Sequence, residues 1–397
     1  MTVFIAVSLT WIIINLVVAS LIRRNDETRF LQNMRIAMLW VAPFIGVLFS
    51  LGATTRRKAV DLAAQPILPG TIIDEAPLQL MLAGAGQLNV QEHTYISGEF
   101  PVLDWSAIQA WADKGPQGLG YQLGKKAWLM HLRDALGASY RLYESSDAFI
   151  LSPLENNVVL ATAEFITTTR GRIEKVLGDL ASFPAADKSV LVVMPDEDAY
   201  YSYTSGYQRD GGHVAGSSGM FIHAGCPHFV VPAADLHQIE PVIAHELTHS
   251  ALAHHCLPRW LDEGLAVNTE IRLTGFGING TPQKELRERH LAFWGAKEIQ
   301  EFWSGASFFR PDDGNQLSYE LARILVAYLG KQWDSFSSFA KASQRSDGGA
   351  AAAQAALGVS LGVLACGLLE QEYSSRWEPA LLDEPSAVVE GAHLTCN

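Results

Sequence analysis

Two histidines four residues apart, with a glutamate directly after the first, restrict this chain more than any other feature. They stand in Val242-Ile243-Ala244-His245-Glu246-Leu247-Thr248-His249-Ser250, and a further glutamate, Glu263, follows fourteen residues past His249. On a helix, residues i and i+4 lie one above the other. A helix here therefore presents the His245 and His249 imidazoles to one ion and leaves Glu246 beside it. Apolar Ile239, Val242 and Ile243 give the same helix a side to bury, and the helix is expected to run to about His255. Pro258 then permits a turn and a fresh helix start. Glu263 falls one to two turns into that second helix, where it can cross back to the histidines as a third ligand. The fold must thus supply two helices joined by a short turn.

By composition, an H-E-x-x-H string is expected by chance on the order of 0.02 times in such a chain. The competing explanation is a polar surface helix carrying two incidental histidines. The second string, Trp260-Leu261-Asp262-Glu263-Gly264-Leu265-Ala266, weighs against it. Together the two strings resemble the gluzincin metallopeptidases, most of all the bacterial peptidase MA-like group with a short gap between the motifs. Thermolysin and the zinc aminopeptidases have a longer gap, so their substrate pockets do not carry over. The resemblance spans about residues 138 to 375 and includes the helix-like run Gln316 to Gly330 and the stretch Ala355 to Ser360. It implies one Zn2+ per chain held by His245, His249 and Glu263, with Glu246 as general base. It also implies a sheet edge beside the zinc that takes peptide as an added strand. That edge would be one of two segments, Gly219 to His223 or His228 to Val231. Tyr319 stands where related peptidases keep a tyrosine that stabilises the oxyanion; a packed helix aromatic is the alternative. No aminopeptidase G-x-M-E-N string occurs, which favours an endopeptidase.

Other classes fit less well. The net charge is −13 and no basic cluster is interleaved with aromatics, which argues against nucleic acid. The Gly/Ser-rich stretch from Gly206 to Gly219 lacks the Lys-Ser/Thr ending of a phosphate loop. Two alternatives stay open: a membrane-anchored scaffold with a gluzincin fold and weak hydrolysis, and a zinc hydrolase of non-peptide amides.

Val3 to Ile22 and Ile36 to Ala53 are nearly continuous apolar runs, each long enough to span a ~30 Å hydrocarbon core as a helix. The first lacks the basic start and small-residue cleavage site of a signal peptide. The loop between them carries Arg23, Arg24, Arg29 and Arg35, against Arg56, Arg57 and Lys58 after the second run. This margin places the loop inside and the catalytic domain outside. With the bacterial resemblance, the expectation is an integral inner-membrane protein with a periplasmic catalytic domain. Four cysteines, Cys226, Cys256, Cys366 and Cys396, are compatible with two disulfides, Cys226–Cys256 and Cys366–Cys396, or with free buried thiols.

The expected organisation is α+β: two transmembrane helices in 1–57, a linker and accessory segment in 58–137, the catalytic domain in 138–377 and a polar tail in 378–397. Short helices are expected from Asp104 to Asp113 and Gly124 to Leu136, then a hairpin of Tyr140 to Tyr143 with Ala148 to Ser152. A long helix from Asn156 to Leu180 and a buried strand from Ser189 to Met194 follow. After Glu263 the chain reads as helices: Lys284 to Trp294, Leu317 to Gly330, Ser335 to Ser343, Ala350 to Leu357 and Leu361 to Tyr373. Among further polar residues, Glu270 lies two turns past Glu263 and fits a carboxylate holding a ligand histidine by its free N–H, or a solvated charge. Asp262 reads as a solvated charge, His254 and His255 as surface histidines, and His213, His223 and His228 as residues of the cleft rim.

Overall fold

The computed structural model describes residues 65–183, 187–207, 219–222, 225–234, 236–275 and 283–381. The two apolar runs near the N-terminus, His213, His223, Cys396 and nearly all of the tail lie outside these residues. Among the described residues no single helix is long and apolar enough to cross a membrane.

The architecture is α+β, organised by a six-stranded mixed sheet. Its strands are β1 (Thr71–Ile72), β6 (Arg141–Glu144), β7 (Ala148–Ser152), β8 (Ser189–Met194), β10 (His228–Pro232) and β9 (Met220–Ile222), in that spatial order. The central strands β7, β8 and β10 run parallel, while β1, β6 and β9 are antiparallel to their neighbours. Hairpins β2 (Gln79–Leu82) with β3 (Gly86–Asn89) and β4 (Thr94–Ser97) with β5 (Phe100–Leu103) form two small separate sheets.

The parallel strands carry apolar residues at every position because both faces are covered. Ile150, Leu191, Val193, Phe229 and Val231 point into one core; Phe149, Leu151, Val190, Val192 and Val230 point into the other. Helices α1 (Trp105–Ala112), α2 (Leu119–Leu136) and α4 (Glu197–Ser205) bury residues in the second core. Asp104 starts α1 by accepting the Ser106 and Ala107 amides at 3.1 Å. Residues 79–136, which carried no assignable role as a sequence, therefore supply, with α4, the cover of one face of the sheet.

The first core holds α3 (Asn156–Leu177), α5 (Leu236–Leu252), α6 (Arg259–Thr274) and the later helices. These are α7 (Gln283–Phe293), α8 (Ala296–Ser304), α9 (Gly314–Leu329), α10 (Trp333–Ala342), α11 (Ala350–Leu357) and α12 (Leu361–Leu368). The expected order of a mixed sheet followed by helices is what the chain forms. Helices α4 and α8 had no counterpart in the sequence reading, and α12 stops at Leu368 rather than near Tyr373.

Cys226 and Cys366 are free and buried, so the pairings Cys226–Cys256 and Cys366–Cys396 do not form. Cys226 sits in the second core, on the opposite side of the sheet from α5 and from Leu257, the neighbour of Cys256. Spacing along the chain cannot reveal that separation. Cys256 is disulfide-bonded.

Candidate metal centre

Helix α5 is fixed by a stripe at Ile239, Ile243, Leu247 and Ala251, each buried against the sheet and α3. This spacing turns His245, Glu246 and His249 toward α6. The helix tightens into a 3-10 turn over Ala253–His255 and ends at Cys256, whose φ of 52° is left-handed. The Pro258 carbonyl then accepts the Leu261 and Asp262 amides at 3.0 and 3.1 Å and starts α6.

Each residue of the second string has a physical task. Trp260 is fully buried among Phe302, Trp303 and Phe339, and its indole N–H donates to the Gly348 carbonyl at 2.9 Å. Gly264 lets α6 approach α9: a Cβ there would stand 2.6 Å from the Ala322 carbonyl oxygen. Asn268 ties the two helices, donating to the carbonyls of Gly264 at 2.7 Å and Arg323 at 3.0 Å. Glu263 is thereby held against α5.

Three donor atoms converge. Nε2 of His245 and Nε2 of His249 are 3.1 Å apart, and Oε2 of Glu263 is 3.3 Å from the first and 3.4 Å from the second. A tetrahedral ion with bonds of ~2.05 Å needs ligand atoms ~3.3 Å apart, so this triangle has the right size. Oε2 of Glu263 is buried and accepts no hydrogen bond although both imidazoles are near. An orphaned carboxylate oxygen inside a core is costly unless something positive takes it. Two imidazoles and one carboxylate form a donor set suited to a divalent transition metal with one position left open.

Outer carboxylates orient both histidines. Nδ1 of His245 is 3.1 Å from Oε2 of Glu270. Asp262 Oδ2 lies 3.0 Å from Nδ1 of His249, although out of line for a hydrogen bond. With Nδ1 turned to a carboxylate, each Nε2 offers its lone pair to the centre. Burial alone would lower the His245 pKa, but Glu263 and then Glu270 outweigh it and raise it to about 9. His249 is raised well above its usual value: burial opposes this, and Asp262 and Glu263 overcome it. Glu263 is driven well below the carboxylate range, its burial outweighed by the two histidines. Glu246 is 8 % exposed, and burial raises its pKa. That is the direction a proton-transferring carboxyl requires. Tyr319 on α9 is raised well above its usual value, first by the Glu263 charge and then by burial. Its hydroxyl therefore lies within electrostatic reach of the triad, and its ring packs edge-on to Phe308 at 5.1 Å.

The structure gathers His245, His249, Glu263, Glu246 and Glu270 at one place, with Tyr319 near them. It moves three other residues from their expected settings. Asp262, read as a solvated charge, stands against His249. His255 is half-buried, with Nε2 3.0 Å from the Leu180 carbonyl oxygen. His228 is 1 % exposed and lies on the far face of the sheet, bonded to the Tyr203 hydroxyl at 2.9 Å and the Cys226 carbonyl at 2.7 Å. Burial lowers its pKa to about 4. Strand parity carried this signal: if Phe229 and Val231 face α5, His228 cannot. Of the two segments expected at the sheet edge, β10 is interior, paired with β8 and β9, and β9 is the outermost described strand. Arg259 escaped the sequence reading: its Nη1 donates to Oε1 of Glu263 at 3.5 Å. No protein-family profile, curated protein or solved structure matches the chain.

Proposed function

We propose that the protein is a membrane-anchored, zinc-dependent metallopeptidase of the gluzincin kind, peptidase MA-like. The supporting observation is the triangle of His245 Nε2, His249 Nε2 and Glu263 Oε2, with edges of 3.1 to 3.4 Å, closed around an orphaned buried oxygen. A zinc ion held there supplies a water of near-neutral pKa and polarises a carbonyl.

The remaining chemistry belongs to the side chains. Glu246 follows the first ligand in sequence, is buried, and has its pKa raised by that burial. It accepts the proton of the attacking water and delivers it to the leaving nitrogen. The Tyr319 hydroxyl stays protonated and donates to the developing oxyanion. Glu270 and Asp262 hold the imidazoles in their ligating tautomer. The apolar runs Val3 to Ile22 and Ile36 to Ala53 anchor the chain. An oxidised Cys256 agrees with a catalytic domain outside the cytoplasm.

The test is elemental analysis of the purified protein with casein hydrolysis on the same samples, beside Glu263→Ala and Glu246→Gln. One zinc per chain is expected, weakened by Glu263→Ala. Glu246→Gln keeps zinc and loses cleavage by roughly 100-fold or more. Wild-type protein without zinc, prepared free of chelators, would remove the metallopeptidase reading in favour of a scaffold. Zinc without casein cleavage would turn the search to other amides.

A further inference from the structure

The ion pairs of the triad are almost all with acids or among its own members. Asp262 and Glu270 face the histidines, and Glu246 lies inside the same charge cluster. Among the described residues one pair alone brings in an arginine or lysine: Arg259 with Glu263. Its stem is pinned by Gly305, whose absent side chain would stand 2.9 Å from the Arg259 Cβ. Its guanidinium lies over the Phe309 ring, 4.6 Å from the centroid. Phe309 itself is 63 % exposed. The side chain of Arg259 is 35 % exposed, so the head group stands beside Glu263 and is still reached by solvent.

A guanidinium offers five N–H donors in a rigid fork. Among the described residues its one hydrogen bond is the 3.5 Å contact from Nη1 to Oε1 of Glu263. Oε1 is the oxygen turned away from the two imidazoles, so the contact leaves most of the fork unspent. The Tyr319 hydroxyl feels the charges of Glu263, Arg259 and Glu246 together, so Arg259 and Tyr319 belong to one charge cluster around Glu263.

Resting on the metallopeptidase reading, we infer that Arg259 is the specificity residue of this site and binds a substrate carboxylate adjacent to the scissile bond. The carboxylate belongs either to a free C-terminus or to an acidic side chain. Without such an anchor the surrounding acids would repel an anionic substrate. With it, one carboxylate is selected and oriented by a bidentate bond.

The test uses full-length zinc-loaded protein and two metal-binding probes, acetohydroxamic acid and succinic acid monohydroxamate, which adds a carboxylate. The carboxylate probe should bind tighter by on the order of 10- to 100-fold. Arg259→Met should abolish that difference while retaining zinc and acetohydroxamate binding, and Arg259→Lys should restore part of it. Equal binding of both probes to wild type would overturn the inference while leaving the metal site standing. Failure of acetohydroxamate to bind at all would fell the metallopeptidase reading and the inference with it. If Arg259→Met loses zinc and both probes together, Arg259 only positions Glu263, and the inference fails. Peptide pairs then separate the two sources: a free against an amidated C-terminus, and Asp against Asn after the scissile bond. A preference for the acid in either pair that Arg259→Met removes supports the assignment; no preference in both refutes it.

Discussion

Replacing Gly264 by alanine probes the joint on which the centre depends. A Cβ at 264 would stand 2.6 Å from the Ala322 carbonyl oxygen, 2.6 Å from Cγ2 of Val326 and 2.9 Å from the Ala322 carbonyl carbon. Carbon atoms settle near ~3.5 Å, so the α6–α9 contact must open by several tenths of an ångström up to about 1 Å. Val326 can rotate; the Ala322 backbone cannot. Overpacking of this kind costs about 1–3 kcal/mol. Alanine returns about 1 kcal/mol through helix propensity, leaving a net loss of about 0–2 kcal/mol. The effect on the metal is larger, because Glu263 is the adjacent residue and rides on the same turn. Metal sites tolerate errors of ~0.2 Å in ligand distance. We expect zinc affinity to fall on the order of 10- to 100-fold, measured by competition with a chromogenic chelator, while the melting temperature of metal-free protein drops only slightly. Unchanged zinc affinity with a raised melting temperature would refute the argument, since it would mean helix propensity acts alone and the two helices are not in close contact.

Other consequences can be measured on the same protein. His245 has a folded pKa of about 9 without metal, against ~6.5 unfolded, so its contribution to metal-free stability is complete below about pH 6.5 and disappears as pH rises through about 9. Zinc must displace that proton, so the melting-temperature gain on adding zinc should grow between about pH 6 and 9; a flat gain would contradict the pairing of His245 with Glu263 and Glu270. Glu270→Ala and Asp262→Ala should each weaken zinc by roughly 10-fold or more, with Glu270 the larger effect because its bond to His245 is in line; equal zinc affinity for both variants and wild type would remove the outer carboxylates from the site. Cys226 and Cys366 are buried, so a thiol reagent should label them only after denaturation; fast labelling of native protein would contradict the packing of both cores.

His245, Glu246, His249 and Glu263 were legible because helix geometry converts spacing into direction. His245 and His249 share a face at i and i+4, Glu246 follows from its place beside the first ligand, and Glu263 from the helix that restarts after Pro258; Glu270 was left open between a partner of a histidine and a solvated charge. Gly264 and Trp260 were legible as part of a string, but their tasks of close approach to α9 and anchorage at Gly348 belong to a partner helix sixty to ninety residues away. Asp262 and Arg259 were not legible. Both occupy the first turn of α6, and where that turn points depends on the left-handed Cys256 and on Pro258, not on any periodicity. Cys226 and His228 were misplaced for one reason: they stand just before and at the start of β10 and fall on the face opposite α5. Strand parity could have assigned His228, while Cys226 precedes the strand and had no parity to read.

The packing around the centre gives an independent reason to regard it as functional. Helices α5, α6 and α9 contribute Leu247, Leu261, Leu265, Leu321 and Leu325 to a continuous apolar core, yet α5 and α6 also turn Glu246, His249 and Glu263 inward at 6–8 % exposure. A core selected for stability alone would fill these positions with apolar residues, since a buried ion pair seldom outweighs its own desolvation. Some buried polar groups elsewhere close on each other, as His228 does with Tyr203 and the Cys226 carbonyl, while Gln122 Oε1 and His290 Nε2 are left single. At the α5–α6 junction they do not close: Glu263 keeps an orphaned oxygen and two imidazole nitrogens face each other at 3.1 Å. Sequences break their own packing rules chiefly where chemistry demands it. Without metal, protons on the imidazoles answer part of this, and a cation at the centre would answer all three atoms at once. The short turn at Cys256–Pro258, the missing side chain of Gly264 and the anchor of Trp260 are then the means by which the fold holds that point open.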